Sequence, residues 1–180
     1  MRKIIVFLIY THLRDEILRE LKSHLEDVFS LETEFYGLSI DINDAYNFTR
    51  NQYLASKIIK KMFPYKNNWK DKWIFFVDVD LYTPGLNFIF GEAYPRYGIA
   101  IVSLTRLKPE FYGSKPNERL FTERLLKETT HELGHLFYLH HCENPNCVMH
   151  FSNSILDTDR KSKYFCLNCN FLLKANMLII

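Results

Sequence analysis

His131-Glu132-Leu133-Gly134-His135 is the stretch on which the reading of this chain turns. Histidines four apart on a helix share one face, one turn above the other. That spacing suits two imidazole ligands on a single zinc ion. The glutamate between them is placed to hold and deprotonate a water on that zinc. At about 100° per residue, His135, Arg124 and Glu128 fall near His131, while Leu125, Leu126, Leu133, Leu136 and Phe137 gather on the opposite side. A helix from about Asn117 to Leu139 therefore has an apolar face for the core and a histidine face for a cleft.

A catalytic zinc needs a third protein ligand and an open position. No glutamate occurs after Glu143, which leaves His140, His141, His150, Asp157 and Asp159. On a continued helix, His141 would lie about 15 Å along the axis from His131 and out of reach. The chain must turn sharply and come back. His141 then completes the pattern histidine-glutamate-x-x-histidine, five residues, histidine, with His140 as the alternative ligand.

Four cysteines, Cys142, Cys147, Cys166 and Cys169, all fall in the last quarter of the chain. Two close pairs, without a secretion signal, have the spacing of metal ligands rather than disulfides. Four thiolates fill a tetrahedron and leave no open site. Asn144-Pro145-Asn146 supplies a turn between the first pair. Thiolates that must stay reduced indicate the cytoplasm.

The chain of 180 residues, 47% hydrophobic and 24% charged, fits one domain with a real core. A net charge of +2 points to no polyanion partner. Lysines between Arg50 and Lys72, near Trp69 and Trp73, read as a solvated helix face rather than a nucleic-acid surface. The apolar run Ile4–Tyr10 is too short for a signal peptide, and no run reaches the roughly 20 apolar residues of a membrane span. Strands are expected at 2–10, within 31–42 (broken by Gly37), at 73–81, 86–90 and 99–104. Helices are expected at 13–28 and 49–62. The alternation predicts an α/β fold with a mostly parallel sheet.

The run His131–Cys142, then Cys147-Val148-Met149 and Cys166-Leu167-Asn168-Cys169, resembles the archaemetzincins. So do Asp80-Leu81-Tyr82, Asn87 to Ala93, Ser103 to Leu107 and Lys127-Glu128 upstream. The likeness covers most of the chain after residue 75. It implies a compact single-domain metzincin fold over 1–180: an upper part, 1–139, with a twisted mixed sheet and the active-site helix, and a lower part, 140–180, stabilised by zinc. It implies two Zn2+ per chain, a catalytic ion on His131, His135 and His141 and a structural ion on Cys142, Cys147, Cys166 and Cys169. Glu132 would be the general base and Met149 the methionine of the turn beneath the catalytic ion. Metzincins usually carry glycine three residues after the second histidine, where this chain has Tyr138.

The expected activity is zinc-dependent hydrolysis of peptide bonds, in short peptides or unstructured termini, by a monomer with no nucleic-acid or membrane partner. The edge strand is expected at 99–104, where an extended substrate would pair. Tyr138, Tyr112 and Arg106 are candidates to stabilise the oxyanion. The alternatives are a non-catalytic zinc protein that binds peptides in the same cleft and a zinc-ribbon nucleic-acid binder.

Overall fold

The computed structural model describes residues 2–179. Its frame is a five-stranded sheet in the order β2-β1-β5-β8-β7. Strands β1 (Ile4–Ile9), β2 (Thr33–Leu38), β5 (Lys72–Val77) and β8 (Ile99–Ser103) are mutually parallel, and β7 (Gly91–Tyr94) runs antiparallel to β8 at one edge. A small second sheet joins β3 (Tyr46–Asn47), β4 (Gln52–Leu54) and β6 (Leu81–Tyr82). Side chains alternate across the large sheet. Ile4, Val6, Leu8, Ile74, Phe76, Ala100 and Val102 face helices α1 (Asp15–Phe29) and α3 (Glu118–Leu136). Trp73, Phe75, Val77, Ile99 and Ile101 face α2 (Ala55–Lys60) on the other side. With both faces covered, the central strands are apolar apart from Lys72 and Ser103 at their ends, as parallel sheets favour. The result is the mixed α/β domain that the alternation of elements predicts.

Several boundaries differ from the local signals, each for a long-range reason. Gly37 does not break β2, because its backbone pairs in register with Leu8 of β1. The expected helix at 49–62 contracts to α2, because Tyr53 and Leu54 pair with Leu81 and Tyr82 as strands. Arg50 and Gln52 also reach across to the backbone carbonyls of Leu86 and Asn87. The expected strand at 86–90 survives as a single bridge between Ile89 and Leu81. The strand forms at 91–94 instead. The 99–104 strand is not an edge: β8 lies between β5 and β7, so the edge on that side of the sheet belongs to β7. Two helices had no local signal strong enough to mark them, α4 (Ile155–Arg160) and α5 (Leu167–Ile179). The lysines of 50–72 form no cationic stripe. Lys57 donates to the Asp44 carbonyl, Lys61 pairs with Asp44, and Lys66 and Lys72 are buried. No helix among the described residues is long and apolar enough to cross a membrane.

The packing of α1 on α3 buries His24, 7% exposed, whose Nε2 lies 2.9 Å from the Thr130 hydroxyl. Thr130 itself donates to the Leu126 carbonyl, so His24 is the donor and stays neutral. Burial, helped by the Lys163 charge, lowers its pKa from 6.5 to about 4. A depressed histidine stabilises the fold fully above pH 6.5, and that contribution is lost as the pH falls toward 4, where only the unfolded chain takes up the proton. At about 1.4 kcal/mol per pH unit, the loss approaches about 3 kcal/mol. Urea midpoints between pH 7 and pH 4 should therefore fall more steeply for the wild type than for His24→Gln. Equal slopes would rule this account out.

Candidate metal centre

Helix α3 starts at Asn117, whose side-chain oxygen accepts from the Leu120 N–H. It ends three residues earlier than the 117–139 reading. The Tyr138 N–H donates to the His135 carbonyl and the Leu139 N–H to the Gly134 carbonyl, the paired bonds of a Schellman turn. Tyr138 takes the left-handed position of that turn, with φ 62°. Tyrosine there costs about 1–2 kcal/mol relative to glycine, and the turn forms all the same. The chain doubles back, and one ring nitrogen each of His131, His135 and His141 come within 4.8 Å of one another. His140 and His150 stay outside that group. Asp157 instead caps α4, and Asp159 pairs with Arg124 through two bonds of 2.7 Å.

Second bonds orient the imidazoles. His131 Nδ1 donates to the Val148 carbonyl at 2.8 Å, and His135 Nδ1 donates to the Leu139 carbonyl at 2.7 Å. Both Nε2 atoms are then bare acceptors, and they face each other at 3.1 Å. Two lone pairs at that distance repel unless a cation lies between them, so the donor set fits a metal ion. Burial keeps the rings in the neutral form that binds metal: it pushes His131 far down, His135 to about 4, and His141 below its ordinary value.

Glu132 is 4% exposed, and its Oε2 has no hydrogen-bond partner among the described residues. Burial, with repulsion from Glu128 outweighing attraction from Lys161, holds its carboxyl well above the usual carboxylate range. Strand β7 passes directly over it. A Cβ on Gly91 would lie 2.6 Å from Glu132 Oε1, so a side chain there would displace the carboxyl from its present position. On the other side of α3, a Cβ on Gly134 would lie 2.5 Å from Met149 Sδ, so the methionine packs flush against the helix backbone. Glu132 and the three histidines line a cleft of about 490 Å³ together with Gly91 and Phe151. Of the oxyanion candidates, Tyr138 lines this cleft. Arg106 is instead held by Asp80 through two bonds, and Tyr112 donates to the Arg106 carbonyl.

The four cysteine sulfurs also lie within 4.8 Å of one another. Cys142 and Cys166 Sγ are 3.8 Å apart, the edge of a tetrahedron with metal–sulfur bonds of about 2.3 Å. Burial alone would raise the Cys166 thiol, but the Cys169 N–H and neighbouring cysteines bring it down to about 7, toward the ligating thiolate. The two clusters share one loop. Cys142 follows His141, the Cys142 N–H donates to the Met149 carbonyl at 3.0 Å, and Val148, which orients His131, follows Cys147.

Behind the histidines lies a pair that local patterns do not reveal. Lys161 Nζ sits 2.9 Å from Glu128 Oε1, with side chains 0% and 3% exposed. Thr158 adds a bond to the same oxygen. In the sequence Lys161 stands in a charged stretch that reads as surface. Removing one partner strands a buried charge, so Lys161→Met should lower stability by about 3–5 kcal/mol, read from the denaturant midpoint of the metal-loaded chain. Adding Glu128→Leu should restore most of the loss. A neutral single variant would contradict this.

The chain matches the profile of Peptidase family M54 over residues 2–175. It is 44% identical over 179 residues to an archaemetzincin of Pyrococcus furiosus, covering 94% of this chain and 91% of that one. It superposes on a zinc-dependent peptidase of Methanocorpusculum labreanum with TM-score 0.86 and 32% identity, covering 94% of this chain and 99% of that one. An archaemetzincin of Methanopyrus kandleri gives TM-score 0.83 and 34% identity over 98% and 96% of the two chains. The family match, the superposition and the three imidazoles gathered at one point together make this molecule a zinc metallopeptidase of the metzincin type. Within that class, the chain belongs to the archaemetzincins, peptidase family M54.

Proposed function

We propose that the chain hydrolyses short peptides or unstructured termini at the histidine cleft, with Glu132 as general base and two zinc ions per chain. The observation that carries this reading is the pair of Nε2 atoms 3.1 Å apart beside a buried, unpartnered carboxylate. His131, His135 and His141 would hold the catalytic ion, and Cys142, Cys147, Cys166 and Cys169 the structural one. Zinc supplies Lewis acidity, polarising the scissile carbonyl and acidifying a water molecule. Glu132 accepts the proton of the attacking water at a carboxylate oxygen and passes it to the leaving amine.

The substrate adds as a strand to the free edge of β7, which takes the role expected of 99–104. Gly91 lets that edge run close to Glu132. A cleft of about 490 Å³ is the size of a small-ligand pocket, which suits a short or unstructured segment better than a folded surface. Residues 140–180 form the lower part of the molecule, built on the thiolate ion. The protein acts as a cytoplasmic monomer.

The test pairs metal analysis with a peptide library on the full chain. Two zinc ions per chain and cleavage of unstructured peptides support the reading. One ion per chain overturns the stoichiometry, cleavage of a folded protein at an internal loop overturns the substrate class, and no cleavage across the library overturns the mechanism.

A further inference from the structure

The turn that ends α3 puts a tyrosine where its backbone is least comfortable. Tyr138 sits at φ 62°, where glycine is free and other L-residues are disfavoured. The side chain does not recover that cost by packing. It stays 48% exposed. The two backbone bonds of the turn and the burial of Phe137 and Leu139 carry that cost, so the exposed ring is not what holds the turn, and a residue costly to the turn yet idle in packing points to a function. The surroundings of Tyr138 indicate which function.

Tyr138 lines the cleft that holds Glu132, His135 and His141. It also lines a second cavity, of about 1100 Å³, which takes in the thiolate cluster at Cys142, Cys166 and Cys169 and continues past it to Phe165 and Leu172 on the α5 side. Tyr138, Leu139, His140 and His141 are common to both cavities. A chain that leaves the metal cleft by this route must pass the tyrosine. Leu139, Phe165 and Leu172 give the groove an apolar wall there.

We propose that Tyr138 is a specificity-determining residue: its ring stacks on an apolar or aromatic side chain of a peptide that runs from the metal cleft into the groove beside α5. The proposal rests on the peptidase reading for the identity of the ligand. Rings and aliphatic side chains pair favourably beyond the area they bury. The occupant follows from continuity, since Tyr138 to His141 form a wall common to the cleft and the groove.

The test uses the full, zinc-loaded chain with Tyr138→Gly and Tyr138→Phe. The probes are unstructured peptides carrying Phe, Leu, Ala or Asp in turn at each position near the scissile bond. Tyr138→Gly should bind as much zinc as the wild type and melt at the same or a higher temperature. At one position it should lose about tenfold of the wild-type preference in kcat/KM for Phe or Leu over Ala. Tyr138→Phe should keep the preference. A glycine variant with unchanged preference at every position overturns the proposal. So does one that melts well below the wild type, which would make the ring a packing element. If the wild type cleaves nothing, the peptidase reading fails on its own, and calorimetric binding of the same peptides to wild type and Tyr138→Gly decides on Tyr138 by the same ratio.

Discussion

Glu132→Ala will lower kcat by about 10²–10⁴-fold, the range that a positioned general base contributes, while the zinc content stays at the wild-type level. The carboxylate is not among the clustered metal-binding side chains, which are the three imidazoles. Its loss should leave metal binding intact. Nor should it cost stability, because the carboxyl is 4% exposed with one oxygen unpartnered, an arrangement that folding alone does not favour. Stability kept with activity lost is the signature of a group held in place for chemistry. Steady-state kinetics, metal analysis and a melting curve on the same preparation check it. Activity within tenfold of wild type would remove Glu132 from the mechanism. Activity and zinc lost together would make it a ligand or a structural support.

The second large effect is asymmetric. Cys166→Ser will lose the thiolate ion and with it most of the zinc at the histidines, whereas His131→Ala will lose one ion and keep the other. The reason is the shared loop. Cys142 and Cys147 bracket a segment whose flanks carry His141 on one side and Val148 and Met149 on the other. The Cys142 N–H closes that loop on the Met149 carbonyl at 3.0 Å, and His150 Nδ1 closes it again on the Cys142 carbonyl at 2.9 Å. Structural zinc binding is folding free energy, of about 10–16 kcal/mol apparent in small zinc domains. When the thiolate ion goes, the loop loses that support. The carbonyl that fixes the His131 tautomer and the third imidazole are then released together. The histidine ion has no such hold on the cysteines, because His131 and His135 stand on a helix packed into the core. Zinc per chain in the two variants, measured after gel filtration, gives the answer. Full histidine-site zinc and full activity in Cys166→Ser would show that the clusters are independent.

The parts of the site that could be read from the sequence are those whose chemistry is local. Histidines four apart on a helix share a face whatever lies around them. Cysteines at spacings of five and three residues, joined by an Asn-Pro-Asn turn, bring thiolates together through short-range geometry. His141 was within reach because the arithmetic of helical rise excluded a straight path. Tyr138 shows where such reasoning stops. Residue preference argued for glycine at the turn, yet a tyrosine adopts φ 62° there, since two backbone bonds and the burial of Leu139 and Phe137 outweigh a penalty of about 1–2 kcal/mol.

Local patterning thus carried the α/β class, the helix with its two imidazoles and the four thiolates, because alternation and helical period are properties of neighbouring residues. It could not say that β7 rather than β8 forms the edge on that side of the sheet, because sheet order arises from pairings between distant segments. Nor could it foresee that the Val148 and Leu139 carbonyls aim the histidine rings, or that Lys161 is buried against Glu128 thirty-three residues earlier in the chain. Those are contacts between groups that periodicity does not relate, and they exist once the chain has closed on itself.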